Sequence, residues 1–153
     1  ALSAAMEFTL SPIGLLHTPF SARQETPIQS IRSLAEGWIE VFPEYAPGLE
    51  GVAEFSHLIL IYLLDRTPQQ SSLQVEPFLD DHKHGVFATR YPERPNRLGL
   101  SVVELLTCEE TTLTFRGADM FDHTPLLDIK PYVPDFDIHP ATRVGWYARR
   151  AKA

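Results

Sequence analysis

The chain has 153 residues, 44% apolar and 22% charged, with 13 Lys and Arg against 20 Asp and Glu for a net charge of −7. That size fits one domain burying roughly 68–70% of its unfolded surface, which excludes a disordered or fibrous chain. The longest apolar run, Leu58 to Leu64, is far short of the ~20 residues of a membrane helix, and the single Cys108 excludes an internal disulfide or a cysteine-rich zinc site.

Ala1 to Ala5, ahead of Met6, read as a cloning remnant or frayed end, and residues 6–153 as a single domain in a cytoplasmic protein with no membrane partner. Thirteen prolines, about one every ten residues, leave little room for long helices. Apolar alternation predicts strands at Glu7 to Leu10, Ile13 to Leu16 and Trp38 to Phe42, the last ended by Pro43. Pro47 to Ala53 suits one short helical turn. Phe55 to Leu64, almost wholly apolar, reads as a central strand with both faces covered. Leu73 to Val75, Val86 to Thr89, Leu98 to Leu106 and Leu113 to Phe115 complete the strands, with a turn at Glu109-Glu110-Thr111. Ile28 to Leu34 and the C-terminal tail are candidate helical segments. The class is mainly β: a single compact barrel-like domain with short helical segments.

Dinucleotide fingerprints, Walker loops, zinc-protease helices and nucleophile elbows are missing. His82 and His84 beside Asp80 and Asp81 offer a metal corner, but polar loop histidines are far commoner, so no metal is expected. Two stretches are denser in chemistry. Gly85 to Ser101 carries Arg90, Arg94 and Asn96 on a proline-stiffened loop; the arginines suit a carboxylate clamp. On the strand that follows, Gly99 and Ser101 share a face with room for close approach. Gly117 to Tyr132 holds Asp119, Asp122, Asp128, Lys130 and Tyr132 among apolar residues. Buried carboxylates must be paired or line a cleft. Asp128 and Lys130 share one strand face, so a purely structural ion pair stays open.

Together these stretches resemble the TsaA-like, or TrmO, family, whose pattern reads Gly-Val-Phe-Ala-Thr-Arg-x-Pro-x-Arg-Pro-Asn-Pro-Ile-Gly-Leu-Ser and then Asp-x-x-Asp-Gly-Thr-Pro-x-Leu-Asp-Ile-Lys-Pro-Tyr. Pro12-Ile13-Gly14, Thr18-Pro19-Phe20, Arg23-Gln24, Gly48-Leu49 and Glu54 to His57 also match, so the resemblance spans residues 7 to 135. It implies a dimeric β-barrel that binds S-adenosyl-L-methionine without a Rossmann fold and methylates N6 of threonylcarbamoyladenosine at position 37 of tRNA. Carried over by position, the cofactor would be held by Ala22, Arg23, Gln24, Asp65, Arg66, Arg90, Asn96, Leu100 and Asp119-Met120-Phe121-Asp122, with Leu100, Met120 and Phe121 as an adenine slot. Asp128, Lys130 and Tyr132 would line the acceptor side as catalytic residues. The chain departs from the pattern at Ala22 and Arg97-Leu98, at Asp65-Arg66, and at His123, where the family glycine suggests a positive φ. It also stops short of the C-terminal extension of longer members.

The charge is uneven. Residues 83–97 carry +3 and the segment after Asp137 carries +4, leaving −14 elsewhere. Such a body suits local contact with an anionic ligand or RNA at two basic islands and is a poor non-specific nucleic-acid binder, with no DNA partner expected. The leading reading is a homodimeric tRNA methyltransferase. The alternatives are the same cofactor with a small-molecule or protein acceptor, and a barrel that binds S-adenosyl-L-methionine without transferring its methyl group.

Overall fold

The structure, a computed structural model, describes residues 6–21, 33–68 and 72–150. Its strands are β1 (Gly14–His17), β2 (Glu36–Val41), β3 (His57–Leu63), β4 (Gln74–Val75), β5 (His84–Gly85), β6 (Leu98–Glu109), β7 (Thr112–Arg116) and β8 (Thr124–Pro131). Six close into an antiparallel barrel in the order β1-β2-β7-β6-β3-β8, and β4 pairs with β5 as a separate ribbon. The expected mainly-β barrel is present. The one α-helix among the described residues, α1 (Pro134–Asp137), has four residues, and no described helix is long and apolar enough to cross a membrane.

The alternation that predicts strands also fills the barrel. Leu16, Ile39, Val41, Leu58, Leu60, Val103, Leu113, Phe115 and Leu126 point inward and are almost fully buried. Each such side chain contributes roughly 1.5–3 kcal/mol on leaving water. On β3 the inward row is Leu58, Leu60 and Tyr62, whereas Ile59, Ile61 and Leu63 are half-buried. The expected cover on both faces therefore holds for one face, since a closed barrel gives each strand a single interior side.

Several local expectations are revised. Glu7 to Leu10 forms no strand and is exposed: β1 already closes the barrel on β8, so no ladder edge is left for it. Val86 to Thr89 is a 3₁₀ turn (Val86–Ala88) rather than a strand, because the amide and Oγ1 of Thr89 both donate to the Val86 carbonyl, at 3.1 and 2.8 Å. Pro47 to Ala53 resolves into two 3₁₀ turns, Pro43–Leu49 and Val52–Glu54, hinged at Gly51. Of Ile28 to Leu34, residues 28–32 lie outside the described set, and Ser33 and Leu34 are not helical. The tail supplies α1 and a 3₁₀ turn, Gly145–Arg149. The β6–β7 turn falls where expected, with Glu110 at φ 56°.

The barrel has two mouths. One gathers the ends of β1, β3 and β7 with the starts of β2, β6 and β8, and the 117–123 connection crosses it. The other gathers the opposite ends around a cavity of about 460 Å³ lined by Ile13, Val41, Leu49, Val52, Phe55 and Ile129 among others.

Candidate functional site

The 117–123 connection is tied from four directions. The amides of Gly117 and Ala118 donate to the Ala35 carbonyl at 2.9 and 3.1 Å, and Ser33 Oγ donates to the Ala118 carbonyl at 2.7 Å. From β1, Thr18 Oγ1 donates to the Met120 carbonyl (2.7 Å), the Thr18 amide donates to Asp122 Oδ1 (2.9 Å), and the Asp122 amide donates to the Phe20 carbonyl (2.7 Å). From the end of β3, Arg66 Nη2 donates to the Asp122 carbonyl and its guanidinium lies 5.1 Å over the Phe121 ring. The fourth tie is buried: Tyr62 Oη sits 2.7 Å from Ser101 Oγ, which donates to Asp119 Oδ1 at 2.6 Å. Burial, reinforced by the Asp119 carboxylate, pushes the Tyr62 phenol well above its usual range, so it stays a neutral donor.

Gly99 explains how Tyr62 fits. A Cβ on Gly99 would stand 2.2 Å from Tyr62 Cε2. The room that the sequence reserves beside Gly99 and Ser101 is occupied by this ring. Asp122 faces two imidazoles, His17 Nδ1 at 3.7 Å and His123 Nδ1 at 3.0 Å, and His17 stacks on Trp38 at 3.9 Å between ring centroids. His123 takes φ 64°, the positive value anticipated where the family pattern has glycine.

The other expected cofactor residues scatter. Ala22, Arg23 and Gln24 lie outside the described residues. Asp65 and Arg66 pair with each other at 3.5 Å. Arg90 and Asn96 are exposed on the loop before β6. Arg94 braces that loop by donating from Nη1 to the Thr89 and Tyr91 carbonyls at 2.9 and 3.1 Å. The three residues read as an adenine slot are not brought together in this chain. Met120 packs in the core at 2% exposure, Leu100 stands on the outer wall at 54%, and Phe121 is half-buried under Arg66. Strand alternation sends Leu100 and its neighbour Ser101 to opposite sides of the wall.

Asp128 and Lys130 do share a face: the ammonium is 3.5 Å from Asp128 Oδ2, both half or more exposed. Tyr132 rests edge-on near His57, 6.2 Å between ring centroids. These three residues are displaced along β8 from the turn that holds Asp122, with Asp128 about 13 Å by strand rise beyond Thr124, where β8 begins. They sit toward the mouth opposite the 117–123 connection, and Asp128 borders the 460 Å³ cavity. The register still aligns two candidates across the outer wall. Ile61 is opposite Leu100 on β6 and opposite Asp128 on β8, so Leu100 and Asp128 are about 10 Å apart across two strand spacings.

Among the described residues two groups could hold a metal ion, His17 with Asp122 and His123, and Asp80 with Asp81 and His82; within each, the donor atoms lie inside 4.8 Å of one another. Sequence reasoning missed Tyr62, a lone aromatic in an apolar run, and His17, which carries no motif. Thr18 lies in the Thr18-Pro19-Phe20 motif that matches the family pattern, but the motif does not disclose its bonds to Met120 and Asp122.

Residues 15–138 match the family of tRNA-methyltransferase O N-terminal domains. The chain belongs to this TrmO family. A Pyrococcus abyssi relative, named a probable S-adenosyl-L-methionine-binding protein, is 51% identical over 136 residues, covering 88% of this chain and 73% of its own. A mouse tRNA (adenine(37)-N6)-methyltransferase is 38% identical over 82% of this chain and 31% of its own. The crystal structure of TrmO from Pseudomonas aeruginosa superposes with a TM-score of 0.78 at 36% identity, covering 97% of this chain and 64% of that one. The chain thus spans under two thirds of that TrmO.

Proposed function

We propose that this barrel is an S-adenosyl-L-methionine-dependent methyltransferase that modifies N6 of an adenosine in tRNA, threonylcarbamoyladenosine beside the anticodon being the favoured acceptor. The observation that carries the reading is the TrmO family match over residues 15–138 on a closed barrel. The 117–123 connection fits the cofactor by its donor set. Asp119 and Asp122 are acceptors for an ammonium and for ribose hydroxyls, Phe121 is an apolar surface for adenine, and Arg66 is a partner for the carboxylate. S-adenosyl-L-methionine, when bound, supplies an electrophilic methyl group.

The chain's own residues then have one task, to hold donor and acceptor in line. Tyr62 and Ser101 fix the Asp119 carboxylate, Thr18 fixes that of Asp122, and Arg66 locks the backbone between Phe121 and Thr124. An adenine N6 amine is a weak nucleophile, and a carboxylate accepting its N–H sharpens it; Asp128, which stands toward the other mouth from its own 117–123 connection, would take that role at the cofactor of a second copy.

A homodimer belongs to the same reading. Ile59, Ile61, Leu63, Leu98, Leu100 and Val102 form a continuous apolar wall outside β3 and β6. A second copy would cover it and bring its own residues to the Leu100–Asp128 row. Light scattering in solution should give twice the chain mass. The deciding experiment is nucleoside mass spectrometry of tRNA carrying threonylcarbamoyladenosine after incubation with protein and S-adenosyl-L-methionine. An added methyl group supports the reading. Calorimetric binding of the cofactor without any added methyl overturns the tRNA acceptor.

A further inference from the structure

The two basic islands are separated by 45 residues in sequence, yet the structure docks one on the other. Trp146, in the turn Gly145–Arg149, donates its Nε1–H to the Ala88 carbonyl at 2.7 Å and stacks on His84 at 5.0 Å between ring centroids, 22° from parallel. Ala88 is two residues before Arg90, and Arg149 is three residues beyond Trp146. Tyr147 packs edge-on against Trp146 at 5.9 Å, and the Arg150 guanidinium lies 4.3 Å over the Tyr147 ring while donating to its carbonyl at 2.8 Å. An arginine held by its own stack and hydrogen bond loses less side-chain entropy when it meets a phosphate.

We propose that Trp146 joins the two islands into one surface that binds a single-stranded loop of RNA; this rests on the tRNA reading above and says where the nucleic acid lies. Lys83, Arg90, Arg94, Arg97, Arg143, Arg149 and Arg150 belong to the joined islands, with Glu93 the acid inside their spans. The nearby Asp80 is buried and bonded to His84 at 2.7 Å, and Asp81 is bonded to His82. Since the rest of the chain carries the compensating negative charge, a polyanion is repelled from it and admitted here. Aromatic faces favour RNA over an acidic peptide: Phe87, next to Ala88, is 76% exposed, and Tyr147 is 39% exposed. Unpaired bases stack on such rings while arginines take the phosphates. Duplex RNA would leave these rings unused.

The test is equilibrium binding of a fluorescently labelled RNA stem-loop across a salt series, alongside calorimetry with S-adenosyl-L-methionine. Each lost single-strand phosphate contact flattens the salt slope by about 0.7. Trp146→Ala, which undocks the tail, should flatten it by about 1.4, worth roughly tenfold in Kd at 150 mM salt for two contacts. Arg149→Ala with Arg150→Ala should do the same, and the three substitutions together should be no worse than either, because Trp146 acts through placing those arginines. Trp146→Phe, which keeps the stack and loses the N–H, should recover part of the affinity. Cofactor affinity and melting temperature should stay at wild-type values throughout, which separates this surface from the methyl-transfer reading. Wild-type RNA affinity in Trp146→Ala, additive losses, or displacement of the RNA by polyglutamate as effectively as by unlabelled RNA would each overturn the proposal.

Discussion

Replacing Gly99 by alanine adds one methyl group in a β-strand, a change that elsewhere stabilises by roughly 0.5–1 kcal/mol. Here the sign reverses. The added Cβ would stand 2.2, 2.7 and 2.8 Å from Tyr62 Cε2, Cζ and Cδ2. The ring is 5% exposed and its hydroxyl is pinned to Ser101 at 2.7 Å, so it has no outward path. Overpacking of this kind costs about 1–3 kcal/mol. If the ring retreats by breaking its hydrogen bonds, the orphaned hydroxyl and carboxylate add about 1–3 more. Gly99→Ala should therefore lose about 1–3 kcal/mol if the ring holds its bonds and about 2–6 if it breaks them, in urea unfolding followed by circular dichroism, at about 2–4 °C of melting temperature per kcal/mol. Removing the ring tests the cause: Tyr62→Ala costs stability by itself, but Gly99→Ala added to it should cost less than 0.5 kcal/mol. A Gly99→Ala protein within 0.5 kcal/mol of wild type would refute the packing argument.

Tyr62→Phe gives a pH signature. Because the folded phenol titrates above its unfolded value of about 10, its contribution is fully present below pH 10 and declines as pH rises toward the folded value. Wild type should lose stability faster than Tyr62→Phe in urea melts above pH 10, and parallel curves would contradict this. Arg97, at φ 50°, occupies the site of a family proline. Arg97→Pro should destabilise by more than about 1 kcal/mol while Arg97→Gly stays near wild type, read by thermal melting. Arg66→Ala should weaken S-adenosyl-L-methionine about tenfold by calorimetry with little change in melting, since its side chain is 41% exposed and its partners belong to the 117–123 connection proposed to hold the cofactor.

Alternation and proline spacing made the barrel legible, since each strand needs only one apolar row. They did not locate the Val86–Ala88 turn, which depends on one threonine hydroxyl, or the unpaired Glu7 to Leu10, which depends on which strand closes the barrel. In the site, the density of polar residues marked both Asp119–Asp122 and Asp128–Tyr132. The distance between them was hidden, because one-dimensional proximity does not say that an extended β8 carries the second group toward the other mouth. Leu100 and Met120 looked alike as apolar slot residues, and only the side of the wall separates them. The Trp146 contact joins residues 58 apart, beyond the reach of any local pattern.

Thr18 grips Met120 and Asp122 across more than 100 residues, and Ser33 and Ala35 grip Ala118 from a second early segment. The 117–123 connection thus takes its shape only when the first and last staves of the barrel have met. Any free energy of binding at this connection is accordingly drawn on by the whole closed barrel. Ligand present at a hundred times its Kd would protect every strand together by about 2.7 kcal/mol, and hydrogen exchange at β1 and β8, far apart in sequence, would slow in step.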